Sequence, residues 1–376
     1  MKKGKLDKLF VIALLVLVGI GILMVFSASM YSESLNSKGK GYMLFLKQFG
    51  FVAFGIGVMF VMSKVDYRKY NNSKMSFWLM IITFVLLGCV LIPGIGVKVN
   101  DARRWISIFG VTSFQPSELA KVSGILYLSC LLAKRPDVFK NQKDFFLECM
   151  IPIAVLCGIT AVEPSLSAAM AIGFGMVSVL YFGGVKLKTF MPYAIVGVVA
   201  IIGFFIIEPW RIERFNVFLG KGTVDYQISQ SLLAIGTGGI FGQGLGNGKQ
   251  KLLFLPELQN DFIFANIGEE FGLIGCLIVL GLFAFIIWRG FKIAKASPDR
   301  FGYLYTGSVM FLLGFQVFIN VGVATSVIPV TGMALPFVSA GGTSVIVLFA
   351  MLGPILSLSR EVDISRKKKE NSGDKK

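Results

Sequence analysis

Residues 255–270 read Leu-Pro-Glu-Leu-Gln-Asn-Asp-Phe-Ile-Phe-Ala-Asn-Ile-Gly-Glu-Glu, and place Asp261, Glu269 and Glu270 where a polar stretch meets an apolar run. Carboxylates near a low-dielectric region are costly, so their retention points to function. Ala265 and Gly268 follow Asp261 at helical spacing, which predicts a small-residue groove beneath its side chain. Glu269 and Glu270 would sit two turns, about 12 Å, deeper. Three acids in such surroundings cannot all ionise freely, so at least one should have a raised pKa, as a general base or proton carrier needs. For Glu269 and Glu270 the alternative is structural, through pairing with a lysine or capping another helix.

Other chemistry-bearing residues lie upstream and downstream. Gln115-Pro116-Ser117-Glu118-Leu119-Ala120-Lys121 opens an apolar run, with Pro116 and Glu118 suited to a helix N-terminus. Glu118 and Lys121 are three apart and share a face, either as a self-satisfied ion pair or lining a cavity where Lys121 meets a phosphate. Arg103-Arg104-Trp105-Ile106 fits an interface anchor or a diphosphate contact. Residues 329–344 hold Pro336, Ser339, Gly341, Gly342 and Ser344, which suggest a broken helix whose exposed amides suit an anion. Seven glycines lie within 236–248, but neither nucleotide-binding fingerprint is met, and a flexible or re-entrant backbone is expected.

The elements that must position these residues are membrane helices. The chain is 55% hydrophobic with mean hydropathy +0.74, well beyond a soluble domain. Long continuous apolar runs argue against a β-barrel. About ten spans are expected, near 9–30, 47–63, 75–92, 115–133, 148–163, 166–182, 190–207, 262–288, 303–325 and 339–358. The first is read as an uncleaved helix, since 18 apolar residues exceed a signal-peptide core. Most of the 37 Lys and Arg residues then fall on one side, which places both termini in the cytoplasm. The net charge of +16 is therefore ascribed to cytoplasmic loops and not to nucleic acid. The expected organisation is one all-α polytopic domain over 1–359, a large extracellular loop at 208–261, and a basic tail at 360–376. Within the loop, Ile228, Leu232 and Ile235 predict an interfacial amphipathic turn. With no histidine, imidazole chemistry is excluded, and five scattered cysteines show no metal or redox spacing.

Three motifs, taken together and in order, resemble the SEDS family (shape, elongation, division and sporulation). They are Gln115 to Lys121; Leu255-Pro256-Glu257 with Asp261 to Ala265 and Gly268-Glu269-Glu270; and Leu335-Pro336-Phe337 with Ser339 and Gly341 to Ser344. Ser165-Leu166-Ser167 and Pro329 to Gly332 look closer to the FtsW and SpoVE branch than to RodA. The resemblance implies a multi-pass bacterial cell-membrane peptidoglycan glycosyltransferase. It would polymerise lipid II with a class B penicillin-binding transpeptidase as partner, beside division or sporulation proteins. It maps the essential acid onto Asp261 and the paired Glu and Lys onto Glu118 and Lys121. The chain departs from the family at Pro164-Ser165-Leu166-Ser167, where many members carry Pro-Asp-Leu-Gly, and at Ala340, where an aromatic is common.

The mechanism this suggests uses Asp261 as general base toward the acceptor's 4-hydroxyl. Lys121, Arg103 and Arg104, with Arg211 or Arg214, are the candidates to stabilise the departing diphosphate. Glu118, Ser339, Glu269 and Glu270 complete the expected binding set. No dedicated metal site is legible, although a divalent cation could share the leaving group's charge. Two rival readings are a lipid II carrier, which should show repeat symmetry and midplane charges, and a scaffold that only recruits the transpeptidase.

Overall fold

The computed structural model describes residues 6–36, 42–99, 102–108, 112–207 and 226–362. Asp101, Arg211, Arg214, the first part of the 208–261 loop and nearly all of the basic tail lie outside the described residues.

Among the described residues, ten long helices occupy the ten expected spans: α1 Lys8–Asn36, α2 Met43–Lys64, α3 Ser73–Leu91, α4 Pro116–Lys134, α5 Gln142–Val162, α6 Leu166–Phe182, α7 Leu187–Ile207, α9 Ile263–Lys295, α10 Arg300–Ala324 and α11 Gly342–Ser359. The shorter α8, Tyr226–Gly238, lies between α7 and α9 and contains the predicted amphipathic turn. Seven of these helices are long and apolar enough to cross a membrane by length and composition alone. Helix α4 is more polar because protein encloses it: Ser117, Lys121, Ser123 and Ser129 are all buried. Helices α2 and α3 instead expose Phe54, Val61, Trp78 and Val85, as lipid-facing surfaces should. Helix α5 starts earlier than its apolar run suggests, through a π turn at Phe146–Met150.

Charge pairs tie one end of the bundle together. Arg289 holds Asp7 at 2.7 Å, Arg68 holds Glu361 at 2.6 Å, and the Tyr67 hydroxyl donates to Asp299. All of these belong to the side assigned to the cytoplasm, where Asp7 N also donates to Ser359 Oγ at 3.3 Å and joins the start of α1 to the end of α11.

The other end departs from a purely helical plan. Residues expected as an outer loop form a three-stranded antiparallel sheet: β1 Gly96–Val99, β2 Ala102–Ile108 and β3 Thr112–Phe114. The Thr343 hydroxyl donates to Ser113 O at 3.0 Å and ties β3 to the start of α11.

Helix α9 is broken at Gly272, whose φ of 67° and ψ of −163° are non-helical. The break lies roughly 13 Å along α9 from its first residue. Its freed groups are satisfied by the glycine-rich segment. Gln243 N donates to Glu269 O at 2.9 Å and Gly244 N to Glu270 O at 3.0 Å, while Leu273 N and Ile274 N donate to Gly239 O and Ile240 O. The loop and the broken helix thus close each other's backbone hydrogen bonds, as backbone shielded from water requires. Phe241, 80% exposed, then faces outward from it. The glycines serve backbone approach to α9. A Cβ on Gly242 would lie 2.2 Å from Glu270 O, and one on Gly272 would lie 2.4 Å from Gly242 N.

Gly272→Ala is therefore expected to cost roughly 1–3 kcal/mol from backbone strain alone, with the clash added. Gly281→Ala, in the same helix with open space at its Cβ, should cost nothing. Thermal unfolding of the two variants in detergent tests this, and equal midpoints would refute the packing argument.

Candidate active site

A cavity of about 1040 Å³ opens at the outer end of the bundle, walled by α2, α4, α6, the β-sheet and the two loops 257–261 and 332–341. Asp261, Glu118, Lys121, Arg104 and Ser339 line it, so the fold gathers five of the sequence-predicted residues. Arg103, Glu269 and Glu270 do not line it.

Asp261 is placed through its backbone. A tight turn is closed by Asn260 N and Asp261 N donating to Glu257 O at 3.0 and 3.1 Å. Asn320 of α10 then donates to Asp261 O at 2.8 Å and to Met333 O at 2.7 Å. The Ser339 hydroxyl donates to Asn260 O at 2.5 Å and accepts from Leu335 N at 2.8 Å. Gln48 of α2 completes the clasp, giving its amide N–H to Ser339 O and accepting from Gly341 N at 3.2 Å. Ser339, expected to meet an anion, thus spends its hydroxyl on locking the two loops together. Gly332, at φ +73°, lets the second loop pass close to the Asp261 carboxylate: a Cβ there would sit 3.6 Å from Oδ2.

Lys121 and Glu118 form an ion pair of 2.7 Å in the cavity wall, with exposures of 4% and 14%. Both of the sequence alternatives hold together: the pair is satisfied, and it lines the cavity. Arg104 donates through Nε to Glu163 O at 3.3 Å and through Nη2 to Pro164 O. Arg104 also lines the cavity. Ser165 also lines the wall.

Glu269 and Glu270 hold the loop that precedes Asp261. Glu269 accepts from Lys249 N at 2.6 Å and Gln250 N at 3.3 Å. Glu270 accepts from the Ser27 hydroxyl at 2.6 Å and pairs with Lys251 at 3.0 Å. The groove expected under Asp261 is also filled: Gly268 packs against Ile235 of α8, so the small residues admit a helix and not a ligand.

Gln48, Asn320 and Gln316 were not singled out from sequence. Each is a polar residue within an apolar run, and that isolation was the available signal.

Glu163, in the turn between α5 and α6, is fully buried, and neither carboxylate oxygen has a hydrogen-bond partner among the described residues. Burial pushes its carboxyl up to about 8, against the opposing pull of Arg104. Between the ordinary value of 4.5 and about 8, the folded chain keeps a proton that the unfolded chain releases. Stability should therefore fall as pH rises through that window. Glu163→Gln is expected to flatten this slope and to raise the unfolding temperature at pH 8 more than at pH 5. An unchanged slope would contradict it.

Comparison with known proteins supports the same reading. The family model for FtsW, RodA and SpoVE, described as cell cycle protein, matches residues 7–364. The chain is 36% identical to stage V sporulation protein E of Bacillus subtilis, over 96% of this chain and 98% of that one. It is likewise 36% identical to a probable peptidoglycan glycosyltransferase FtsW of Coxiella burnetii, over 95% and 97%. Among solved structures, a chain from work on the structural coordination of polymerization and crosslinking by a peptidoglycan synthase complex superposes with a TM-score of 0.76 at 26% identity, covering 95% of this chain and 98% of that one. The rod shape determining protein RodA of Thermus thermophilus gives 0.68 at 26% identity over the same shares. With residues 7–364 matched by the family model and 95% of its length by the solved folds, this chain belongs to the FtsW, RodA and SpoVE family of cell cycle proteins.

Proposed function

We propose that Asp261 is the general base of a peptidoglycan polymerase that joins lipid II molecules at the outer leaflet. The chain is a multi-pass cell-membrane glycosyltransferase of peptidoglycan synthesis. The observation that carries the residue assignment is the cavity, in which Asp261, Arg104 and the Glu118–Lys121 pair converge at the outer end of the bundle.

The chemistry follows from that arrangement. Asp261 takes the proton from the 4-hydroxyl of the acceptor's N-acetylglucosamine. The oxygen forms a bond to the anomeric carbon of the donor's N-acetylmuramic acid, with inversion. The bond from that carbon to the phosphate oxygen breaks, and undecaprenyl diphosphate leaves with the electron pair. Arg104 and Lys121 stabilise its charge, which develops in a partly dehydrated wall where fixed cations act strongly. Clasped loops supply orientation. Glu118 sets the position of Lys121. Among the described residues no group of three or more His, Cys, Asp or Glu side chains comes together. The chain would work with a class B penicillin-binding transpeptidase, beside division or sporulation proteins. A carrier is disfavoured because Asp261, Arg104 and the Glu118–Lys121 pair gather at the outer end and not at the midplane.

Asp261→Asn is expected to lower glycan yield from labelled lipid II at least a hundredfold, within the range for loss of a general base. Near-normal polymerisation by the purified variant would remove the role. Lys121→Met strands the Glu118 carboxylate and should lower both stability and activity. Adding Glu118→Gln should restore the unfolding temperature but not the activity. Recovery of activity in the double variant would reduce the pair to a structural one.

A further inference from the structure

The catalytic reading leaves one aromatic side chain of the cavity without a task. Trp105 follows Arg104 on β2, is partly exposed and lines the same cavity. In a regular strand the two would point to opposite faces of the sheet. Here they do not, because β2 carries a bulge. Val97 pairs with Trp105 and Lys98 with Arg103, so Arg104 is an extra residue without a counterpart on β1. Bulges re-aim side chains and recur beside active sites. Arg104 and Trp105 thereby reach one wall together, while Arg103 is left out of it. Among the described residues the indole N–H makes no hydrogen bond and no other ring stacks on Trp105.

Position and chemistry identify the occupant. Arg104 is assigned to the diphosphate that leaves. In the donor, that diphosphate is bonded directly to the anomeric carbon of N-acetylmuramic acid. Successive residues of a strand are about 3.3 Å apart, so the side chain beside Arg104 meets a group beside the diphosphate. That group is the pyranose ring on one side and the polyisoprenoid tail on the other. The wall near Trp105 favours the ring, since β3 adds Thr112 and Ser113 to it, and Gln115 follows. The face of an indole is the negative side of its quadrupole and disfavours a phosphate. The C–H bonds on a pyranose face have the opposite polarity and form a flat apolar surface of matching size.

We infer that Trp105 is a substrate-binding residue whose indole face packs against the donor's N-acetylmuramic acid ring, the sugar bonded to the leaving diphosphate. The inference deepens the polymerase reading and rests on it for the donor assignment. The bulge then sets two contacts on either side of the bond that breaks, a cation on the diphosphate and an aromatic face on the sugar.

Equilibrium binding to the full chain in nanodiscs tests it with three lipids: lipid II, the same lipid bearing only N-acetylmuramic acid, and undecaprenyl diphosphate. Trp105→Leu removes the ring. It should weaken both sugar-bearing lipids about fivefold, the worth of one aromatic contact, and change undecaprenyl diphosphate by less than about twofold. Trp105→Phe keeps a ring face, removes the N–H, and should stay within about twofold of wild type for all three. A Phe loss as large as the Leu loss would assign the N–H to an acceptor and overturn the inference. So would no loss in the Leu variant, an equal loss for all three lipids, or a loss for lipid II that spares the single-sugar lipid and so moves the contact to the second sugar. Trp105 can also be followed unaltered. Trp78→Phe, Trp210→Phe and Trp288→Phe together leave it the single indole of the chain. The single-sugar lipid should then change its emission more than undecaprenyl diphosphate does, and an equal or absent change overturns the inference. Polymerisation by the wild-type chain with its transpeptidase is measured in parallel. A wild type that binds lipid II without polymerising it counts against the polymerase reading, while the lipid comparison still decides whether Trp105 meets the sugar.

Discussion

Asn320 holds two carbonyls at once, Asp261 O on one side and Met333 O on the other, and the outer half of the molecule is arranged around that bridge. Backbone that leaves a helix near hydrocarbon must find a partner for each amide and carbonyl it frees. Two non-helical segments, 257–261 and 332–341, meet here and solve the problem jointly. Asn320, Ser339 and Gln48 each give side-chain hydrogen bonds to backbone of one or both. The product is a fixed carboxylate at the edge of a large cavity. The same requirement explains the glycine-rich loop, which closes the break in α9 and is then pinned by Glu269 and Glu270.

The acids of this chain thus divide by environment. Glu118 is neutralised by Lys121, Glu269 by backbone amides, and Glu270 by Lys251. Glu163 is buried with no hydrogen-bond partner and keeps its proton to about pH 8. Asp261 lines the cavity with Glu118 and Glu257, its backbone carbonyl held by Asn320. Partner geometry, not proximity in the chain, separates these environments: Asp261 and Glu269 are close in sequence, yet only Asp261 lines the cavity.

Much of this was legible from sequence. Ten apolar runs located ten helices because bilayer thickness dictates their length. Charge bias put Asp7, Arg68, Arg289 and Glu361 on one side of the membrane, and the pairs Arg289–Asp7 and Arg68–Glu361 bring them to one end of the bundle. The three motifs at 115–121, 255–270 and 335–344 named the residues that the cavity brings together. What stayed hidden has common causes. The sheet over 96–114 depends on strand register against partners distant in the chain. The break at Gly272 was invisible because glycine is frequent in membrane helices whether or not they bend.

The sequence alone determined the membrane fold, its topology and the candidate base, since these follow from run length, charge count and motif spacing. Only tertiary structure decided that Glu269, Glu270 and Ser339 hold loops, and that Gln48, Gln316 and Arg104 face the cavity. Which way a side chain points depends on how each helix is rotated against its neighbours, and local spacing carries no record of that rotation.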